Sequence, residues 1–197
     1  MYKNGVIIHD ISQSEYTAKN ITYNGIVRYR KNVIGSYLDV ISLGIDEEIA
    51  ELIINWYVDE NDITHYYLDV IPTYDLLKRS VNHYLHFNIP IRILFIESEF
   101  DKPEWVGYIP KMKFIGYELG SSEITDPTMI YEIEHCVHPE FEKFANKLNE
   151  NGLFNEYETI SEYENIRNRL LSEGVDIENE NPYYIMRISE INISDIV

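Results

Sequence analysis

The chain has 197 residues and a mass of 23.3 kDa, which predicts a single domain spanning residues 1–197. Hydrophobic residues make up 45% of it, and this is enough apolar material for a sizeable core. There are 16 Lys and Arg against 34 Asp and Glu, and the resulting net charge of −18 argues against nucleic acid or an anionic membrane as a direct partner.

Cysteine content and the apolar runs predict a cytoplasmic protein. The single Cys136 excludes an intramolecular disulfide, and the first residues lack the apolar core of a signal peptide. The most apolar run is 89–96, which is far shorter than the roughly 18 residues that a membrane-spanning helix needs. We therefore expect neither secretion nor a membrane partner.

The first part of the chain predicts strands and then two helices. Short runs rich in Ile, Val and Tyr predict strands near 5–11, 25–31 and 36–43. Asp46 begins a helix over 46 to about 58, and 65–71 is a strand that ends at Pro72. Thr73 then caps a second helix, whose buried face combines four residues: Leu76, Leu77, Val81 and Tyr84.

The second part predicts a buried sheet flanked by two more helices. The run 91–96 is apolar at nearly every position, so we expect it at the centre of the sheet beside a strand over 113–119. Pro139 opens a helix that ends at Gly152 and buries Phe141, Phe144, Ala145 and Leu148. Ser161 and Glu164 form a capping box for a helix that stops at Gly174, and 182–193 is a closing strand with a bulge or turn. The sum is an α+β fold, a mainly antiparallel sheet with helices packed on one side.

Two groups of residues resemble metal ligands, but neither completes a site. His135, Cys136 and His138 lie within four residues, yet structural zinc sites usually combine two such groups, and no second one follows. The neighbouring glutamates also disfavour a thiolate at Cys136. His83 and His86 are best explained as a solvated helix face. We expect no metal, no cofactor and no catalytic residue. The alternative is a small enzyme, with or without a metal, that uses His135, Cys136 and His138.

The connection 97–105 is predicted to be an exposed loop, and its mixture of acidic and aromatic residues is typical of a recognition surface. Aromatic side chains supply contact area, and carboxylates around them can pair with Arg or Lys of a basic partner. The alternative is a solvated loop with the tryptophan in the core, because Trp is highly buried on average. The predicted partner-binding residues are Glu97, Glu99, Phe100, Asp101, Glu104 and Trp105.

Three short runs resemble a loose group of small, mostly uncharacterised bacterial proteins, some of which are associated with immunity to polymorphic or contact-dependent toxins. They are Met112-Lys-Phe-Ile-Gly-Tyr-Glu-Leu119, Leu148-Asn-Glu-Asn-Gly-Leu-Phe154 and Tyr184-Ile-Met-Arg-Ile188, so the resemblance covers roughly residues 112–190. Gly116 and Gly152 have structural explanations, a close backbone approach and a helix end. The resemblance implies a fold and supplies no catalytic residues.

The resemblance also offers a reason for the charge. Many antibacterial toxins are basic nucleases, and an acidic inhibitor associates with such a surface quickly because complementary fields raise association rates. The sequence thus predicts an immunity or inhibitor protein that binds and occludes a basic cognate partner, most simply a toxin. An acidic structural or regulatory subunit is a further alternative.

Overall fold

The computed structural model of the protein describes residues 1–10, 20–23, 26–29, 70–99, 104–121, 129, 132–133, 137–175, 177 and 183–197. Their strands are β1 (Tyr2–Asp10), β2 (Asn20–Tyr23), β3 (Ile26–Tyr29), β4 (Ile91–Ser98), β5 (Met112–Ser121) and β6 (Tyr183–Ile191). The α-helices are α1 (Tyr74–His86) and α2 (Tyr157–Ser172), and two short 3-10 helices span Pro139–Phe144 and Ile193–Asp195. No helix within these ranges is long and apolar enough to cross a membrane.

Four strands form one antiparallel sheet in the order β1-β4-β6-β5, and β2 and β3 form a separate antiparallel pair. The predicted central position of 91–96 is confirmed, because β4 has a neighbour on each side. The expectation that 113–119 shares the centre is wrong, since β5 lies at the edge and β6 separates it from β4. An apolar run indicates that a strand is buried on both faces, but it does not indicate which strand lies beside it.

Both α-helices pack on the same face of the sheet. The register places Phe95 of β4 opposite Ser189 of β6, and Phe95 belongs to the core cluster that α1 covers. Ile185, also an odd-numbered residue of β6, lies in the cluster that α2 covers. Because alternate residues of a strand share a face, α1 and α2 lie side by side on one face. This confirms the predicted α+β fold with helices on one side.

The opposite face of the sheet is also buried, which explains the uninterrupted apolar run in β4. Leu94 and Ile96 are fully buried there and pack with Ile188 of β6 and Leu153. Each strand of this sheet is antiparallel to its neighbours, so their side chains meet in directly opposed pairs.

Segments outside the sheet bond to both of its edge strands. Val6 of β1 exchanges two backbone hydrogen bonds with Ile71, at 3.0 and 2.8 Å. Tyr117 of β5 does the same with Phe154, at 2.7 and 3.0 Å. These bonds satisfy backbone groups that an open edge would offer to another chain.

Two predicted helices differ in detail from the structure, whereas α1 agrees with it. Thr73 caps α1 as predicted, because its Oγ1 accepts a hydrogen bond from the Leu76 backbone N–H at 3.2 Å. The segment after Pro139 is a 3-10 helix that ends at Phe144, although the four predicted apolar residues are buried. Helix α2 begins at Tyr157, four residues before the predicted capping Ser161, and ends before Gly174 as expected.

The remaining element predictions have mixed outcomes. The predicted strands near 5–11 and 25–31 correspond to β1 and β3. The predicted closing strand corresponds to β6, which is followed by the 3-10 helix Ile193–Asp195. The predicted strand over 36–43, the helix over 46–58 and residues 65–69 lie outside the described residues.

Candidate functional site

The predicted acidic segment does not begin as a loop. Strand β4 continues to Ser98, so Glu97 is a sheet residue that faces Arg187 of β6. Its carboxylate forms an ion pair with the Arg187 guanidinium, which also lies 5.0 Å from the ring centroid of Phe114. The loop placement of Glu97 is therefore wrong, and its carboxylate is already engaged within the chain.

Of the other predicted partner-binding residues, two are exposed and two lie outside the described residues. Glu99 and Glu104 are both exposed, whereas Phe100 and Asp101 lie outside the described residues. Glu99 is close enough to α2 for its charge to act on Glu164. Burial, and secondly the charge of Glu99, raise the pKa of the Glu164 carboxyl above its usual value.

Trp105 lies in the core, in agreement with the alternative interpretation of this segment. It is 8% exposed and packs edge to face against Phe95, with 5.3 Å between ring centroids. Its indole N–H donates to the backbone carbonyl of Tyr108 at 3.2 Å. In this position Trp105 is an internal anchor for the chain that follows it.

That chain, residues 104–108, has a backbone held from several sides. The Trp105 N–H donates to the Lys3 carbonyl at 2.8 Å, and the Val106 N–H donates to the Pro72 carbonyl at 2.9 Å. The Tyr74 N–H at the start of α1 donates to the Val106 carbonyl at 3.0 Å. A loop fixed in this way presents its side chains with little conformational freedom left to lose on binding.

The fixed loop exposes large apolar side chains that the sequence analysis missed. Val106 is 55% exposed and Tyr108 61%, and Tyr108 stands edge to face against Tyr74 at 5.3 Å. We call Tyr74, Glu104, Val106 and Tyr108 the loop surface. The signal that could have found it is the turn marked by Gly107 and Pro110, with Val106 and Tyr108 directly beside Gly107.

Among the described residues, acidic and basic side chains near the loop surface are both exposed and balance each other. Asp75 and Glu104 are exposed, and so are Lys78 and Arg79 on the same helix as Asp75. The Lys78 ammonium lies 5.9 Å from the ring centroid of Tyr74. The loop surface is therefore apolar in character, and an electrostatic attraction to a partner has to come from other parts of the molecule.

A shallow groove of about 810 Å³ runs along α2, where acidic residues are concentrated. We call it the α2 groove. Around it, carboxylates outnumber cations on the surface formed by α2 and the 3-10 helix before it. The side chains that line the groove include Tyr157, Glu158, Glu162, Asn165, Ile166 and Arg169.

Glu162 and Arg169, two of the charged side chains that line the α2 groove, are paired within the chain. Glu162 contacts the ammonium groups of Lys143 and Lys147 at 2.5 and 3.6 Å, and the hydrogen bond from Lys143 lowers the pKa of this carboxyl. Arg169 pairs with Glu140 at 2.6 Å and with Glu173 at 3.2 Å.

At the amino-terminal end of α2, Glu156 and Glu158 are exposed, and neither has an ion pair with another described residue. The ring of Tyr157 between them in sequence is 42% exposed and packs against Tyr117 at 5.7 Å.

The histidines that resembled metal ligands have other contacts where they are described. His138 caps the 3-10 helix, since its Nδ1 accepts from the Glu140 backbone N–H at 3.3 Å. His83 and His86 lie 4.9 and 5.0 Å from the ring of Phe87. His135 and Cys136 lie outside the described residues, and the described ones contain no group of three side chains that could hold a metal.

A buried ionic group lies beneath α2. Arg167 and Glu132 are each 1% exposed, and the Arg167 Nε donates to both Glu132 carboxylate oxygens at 3.0 and 3.2 Å. The Tyr163 hydroxyl also donates to this carboxylate. A substrate could not reach these groups without opening the core, so we interpret them as part of the packing between α2 and the segment around residue 132.

Comparison with known protein families, curated proteins and solved structures finds no match to this chain.

Proposed function

We propose that this protein is an inhibitor of the immunity type, which binds a basic partner protein and occludes its surface. The observation that carries the proposal is a rigid, exposed apolar loop surface on a chain with a net charge of −18. Rigid aromatic side chains supply binding energy at low entropic cost, and a large net charge accelerates encounter with an oppositely charged protein.

The partner that fits this description is a basic protein, and the resemblance to toxin-immunity proteins suggests an antibacterial toxin. Nucleic acid and anionic membranes do not fit, because a net charge of −18 repels both. The inhibitor needs no chemistry of its own, since covering an active surface is sufficient to block it.

Affinity capture from the native host tests the proposal. The immobilised chain is exposed to host lysate at low and at high salt, and the retained protein is identified, purified and assayed for its activity. We expect a protein of net positive charge whose activity is lost when one copy of this chain binds it. Salt should slow the association markedly.

Two results would contradict the proposal. One is a captured protein that keeps its activity in the complex. The other is the absence of any basic protein among the captured material, together with normal growth of host cells that lack this gene and meet the neighbouring toxins. A positive capture alone is insufficient, so the loss of activity is the deciding measurement.

A further inference from the structure

The hairpin that covers the edge of β5 carries an Asn–Gly pair in its turn. Leu148 and Phe154 bridge each other across this hairpin, and Phe154 also bonds to Tyr117 of β5. Asparagine before glycine is prone to spontaneous deamidation, because glycine has no side chain to keep its backbone nitrogen away from the asparagine amide. Two such pairs are described, Asn4–Gly5 and Asn151–Gly152, and a third, Asn24–Gly25, lies outside the described residues.

Asn4 and Asn151 differ in how much structure has to open before they can react. Asn4 lies within β1, is 1% exposed and accepts a hydrogen bond from the Ser98 hydroxyl at 2.8 Å. Asn151 is 8% exposed but belongs to a turn, in which the Gly152 N–H donates to the Asn149 carbonyl at 3.0 Å. Local opening of the hairpin therefore reaches Asn151 and leaves Asn4 in place.

The Arg92 side chain holds Asn151 in the closed turn. Its Nη2 donates to the Asn151 Oδ1 at 3.2 Å, and its Nε is paired with the Glu190 carboxylate at 2.7 Å. Arg92 belongs to β4 and Glu190 to β6, so the turn is tied to the two middle strands of the sheet. The Arg92 side chain is mostly buried, and a hydrogen bond from a charged donor is stronger where little water competes. This bond fixes the side-chain carbonyl that the Gly152 nitrogen has to attack.

We propose that Asn151 is a site of spontaneous deamidation that Arg92 holds closed, so that the reaction proceeds only when the hairpin opens. In the reaction, the Gly152 nitrogen bonds to the side-chain carbonyl carbon of Asn151 and gives up its proton. The side-chain nitrogen of Asn151 takes a proton and leaves as ammonia. Water then opens the cyclic imide at either of its two carbonyls, which leaves an aspartate or an isoaspartate. The proposal does not depend on the inhibitor function.

The products change the cover of the β5 edge. An isoaspartate adds one carbon to the backbone of the turn, which shifts Phe154 relative to Tyr117 and weakens the two backbone hydrogen bonds between them. Hydrogen exchange at the Tyr117 N–H should therefore be faster in the isoaspartate fraction than in unmodified protein. Equal exchange would show that the modification does not reach the sheet edge. An edge strand that loses its cover offers unpaired backbone groups to another chain.

The experiment incubates the full chain at mildly alkaline pH, both folded and in denaturing urea, and measures deamidation at each Asn–Gly pair by peptide mass spectrometry. In urea, Asn4 and Asn151 should react at similar rates, because no fold protects either. In the folded wild type, Asn151 should react at least about tenfold more slowly than in urea. Arg92→Met should accelerate the folded reaction at Asn151 about tenfold, as expected for loss of a hydrogen bond from a charged donor, and should leave Asn4 unchanged.

Glu190→Gln is the milder variant, because it keeps Arg92 and removes only its ion-pair partner. It should accelerate the reaction at Asn151 about two- to fivefold. Glu97→Gln is the matched control, since it breaks the ion pair with Arg187 between the same two strands, on the opposite face of the sheet. This control should leave the rate at Asn151 unchanged. If Arg92→Met fails to fold, the comparison of Glu190→Gln with Glu97→Gln decides.

Three results would overturn the proposal. The first is a folded wild type in which Asn151 reacts as fast as it does in urea, because the fold then gives no protection. The second is an unchanged rate at Asn151 in Arg92→Met, or equal rates in Glu190→Gln and Glu97→Gln. The third is an equal acceleration of Asn4 and Asn151 in Arg92→Met, which would mean that the variant opens the whole fold and that Arg92 does not act on the turn.

Discussion

Close backbone approach at Gly116 determines whether residues 148–154 can cover the edge of β5. A Cβ atom at this position would lie 2.5 Å from the Leu153 Cβ and 3.0 Å from the Phe154 carbonyl oxygen, and its φ of 150° disfavours other residues. Gly116→Ala should therefore lower the free energy of unfolding by about 3 kcal/mol, from steric overlap plus backbone strain. Gly174→Ala is the control, because its φ is 78° but no atom lies within 4 Å of the added Cβ. If urea denaturation gives the same loss of stability for Gly116→Ala and Gly174→Ala, neighbouring atoms move to relieve the overlap at Gly116 without a measurable cost.

The buried pair of Arg167 and Glu132 should respond differently to single and double substitution. Arg167→Met leaves the buried Glu132 carboxylate without the guanidinium, and the loss should be about 3–5 kcal/mol. Replacing both residues, as in Glu132→Leu with Arg167→Met, should restore much of it, because neither charge of this pair then remains buried. Lys143→Met breaks an exposed pair with Glu162 and should change the stability little. A double variant no more stable than Arg167→Met would show that this pair is needed for packing.

The raised pKa of Glu164 predicts a stability that falls with rising pH. The folded protein retains a proton on Glu164 that the unfolded chain has already released, so stability declines between the ordinary carboxyl pKa and the raised one, and stays lower above it. Glu164→Gln should therefore stabilise the protein at neutral pH and have no such benefit in acid below both values. Titration by NMR should also show a lower Glu164 pKa in Glu99→Gln and an unchanged one in Glu150→Gln. If Glu99→Gln leaves the pKa of Glu164 unchanged, the two carboxylates are too far apart to interact.

At the scale of elements, local sequence patterns predicted where helices and strands lie, but not how distant strands pair. Helix α1 has one apolar stripe and a side-chain cap at Thr73, and β4 has an apolar run, so the start of α1 and the position of β4 were predicted as observed. The position of β6 between β4 and β5 was not predictable, because strand pairing joins residues about 90 positions apart in sequence. The capping box at Ser161 predicted the wrong start, because Glu156, the residue just before α2, makes no side-chain cap hydrogen bond that would mark the true start.

The same distinction applies to the candidate site. The sequence places Glu99 and Glu104 in solvent and leaves Trp105 open between surface and core, and the structure resolves Trp105 as buried. The exposure of Tyr108 depends on contacts of Trp105, Val106 and Tyr74 with distant parts of the chain. Neither the periodicity nor the composition of the sequence predicts those contacts. The loop surface is therefore visible only in the folded structure.

The segment 149–155 is an element without regular structure that depends on Asn149. Its side-chain Oδ1 accepts from the backbone N–H groups of Asn151 and Leu153 at 2.9 and 3.2 Å, and its amide donates to the Ile115 carbonyl at 2.8 Å. Asn149→Ala should lower the free energy of unfolding by about 1–3 kcal/mol, because these groups lose their partner. It should also accelerate hydrogen exchange at Tyr117, whose N–H bonds to Phe154. Asn146→Ala, at an exposed position just before this segment, is the control. If Tyr117 exchanges at the same rate in both variants, Asn149 does not hold this segment against the edge of β5.

At the scale of the whole molecule, charge and apolar surface occupy different places. Net charge resides in the molecule at large and around α2, whereas the loop surface is balanced in charge and rich in exposed apolar side chains. Long-range attraction acts mainly on the association rate, and a desolvated anchor acts mainly on dissociation. The proposed inhibitor should therefore respond to substitutions in two separable ways, which can be measured with the captured partner.

Tyr108→Ala should accelerate dissociation and weaken binding by about 2 kcal/mol or more, as loss of an aromatic hot spot does, with little effect on association. Phe87→Ala is the matched control, because Phe87 is 59% exposed at the far end of α1 and is also aromatic. Neutralising Glu99 and Glu104 to Gln should instead slow association and flatten its salt dependence, about as much as neutralising the exposed Glu142 and Glu150 does. Stopped-flow mixing and surface plasmon resonance give the two rates separately. If Tyr108→Ala and Phe87→Ala dissociate equally fast, the loop surface is not the contact; the charge effect on association can still stand, because it arises from the net charge of −18 carried by the molecule as a whole.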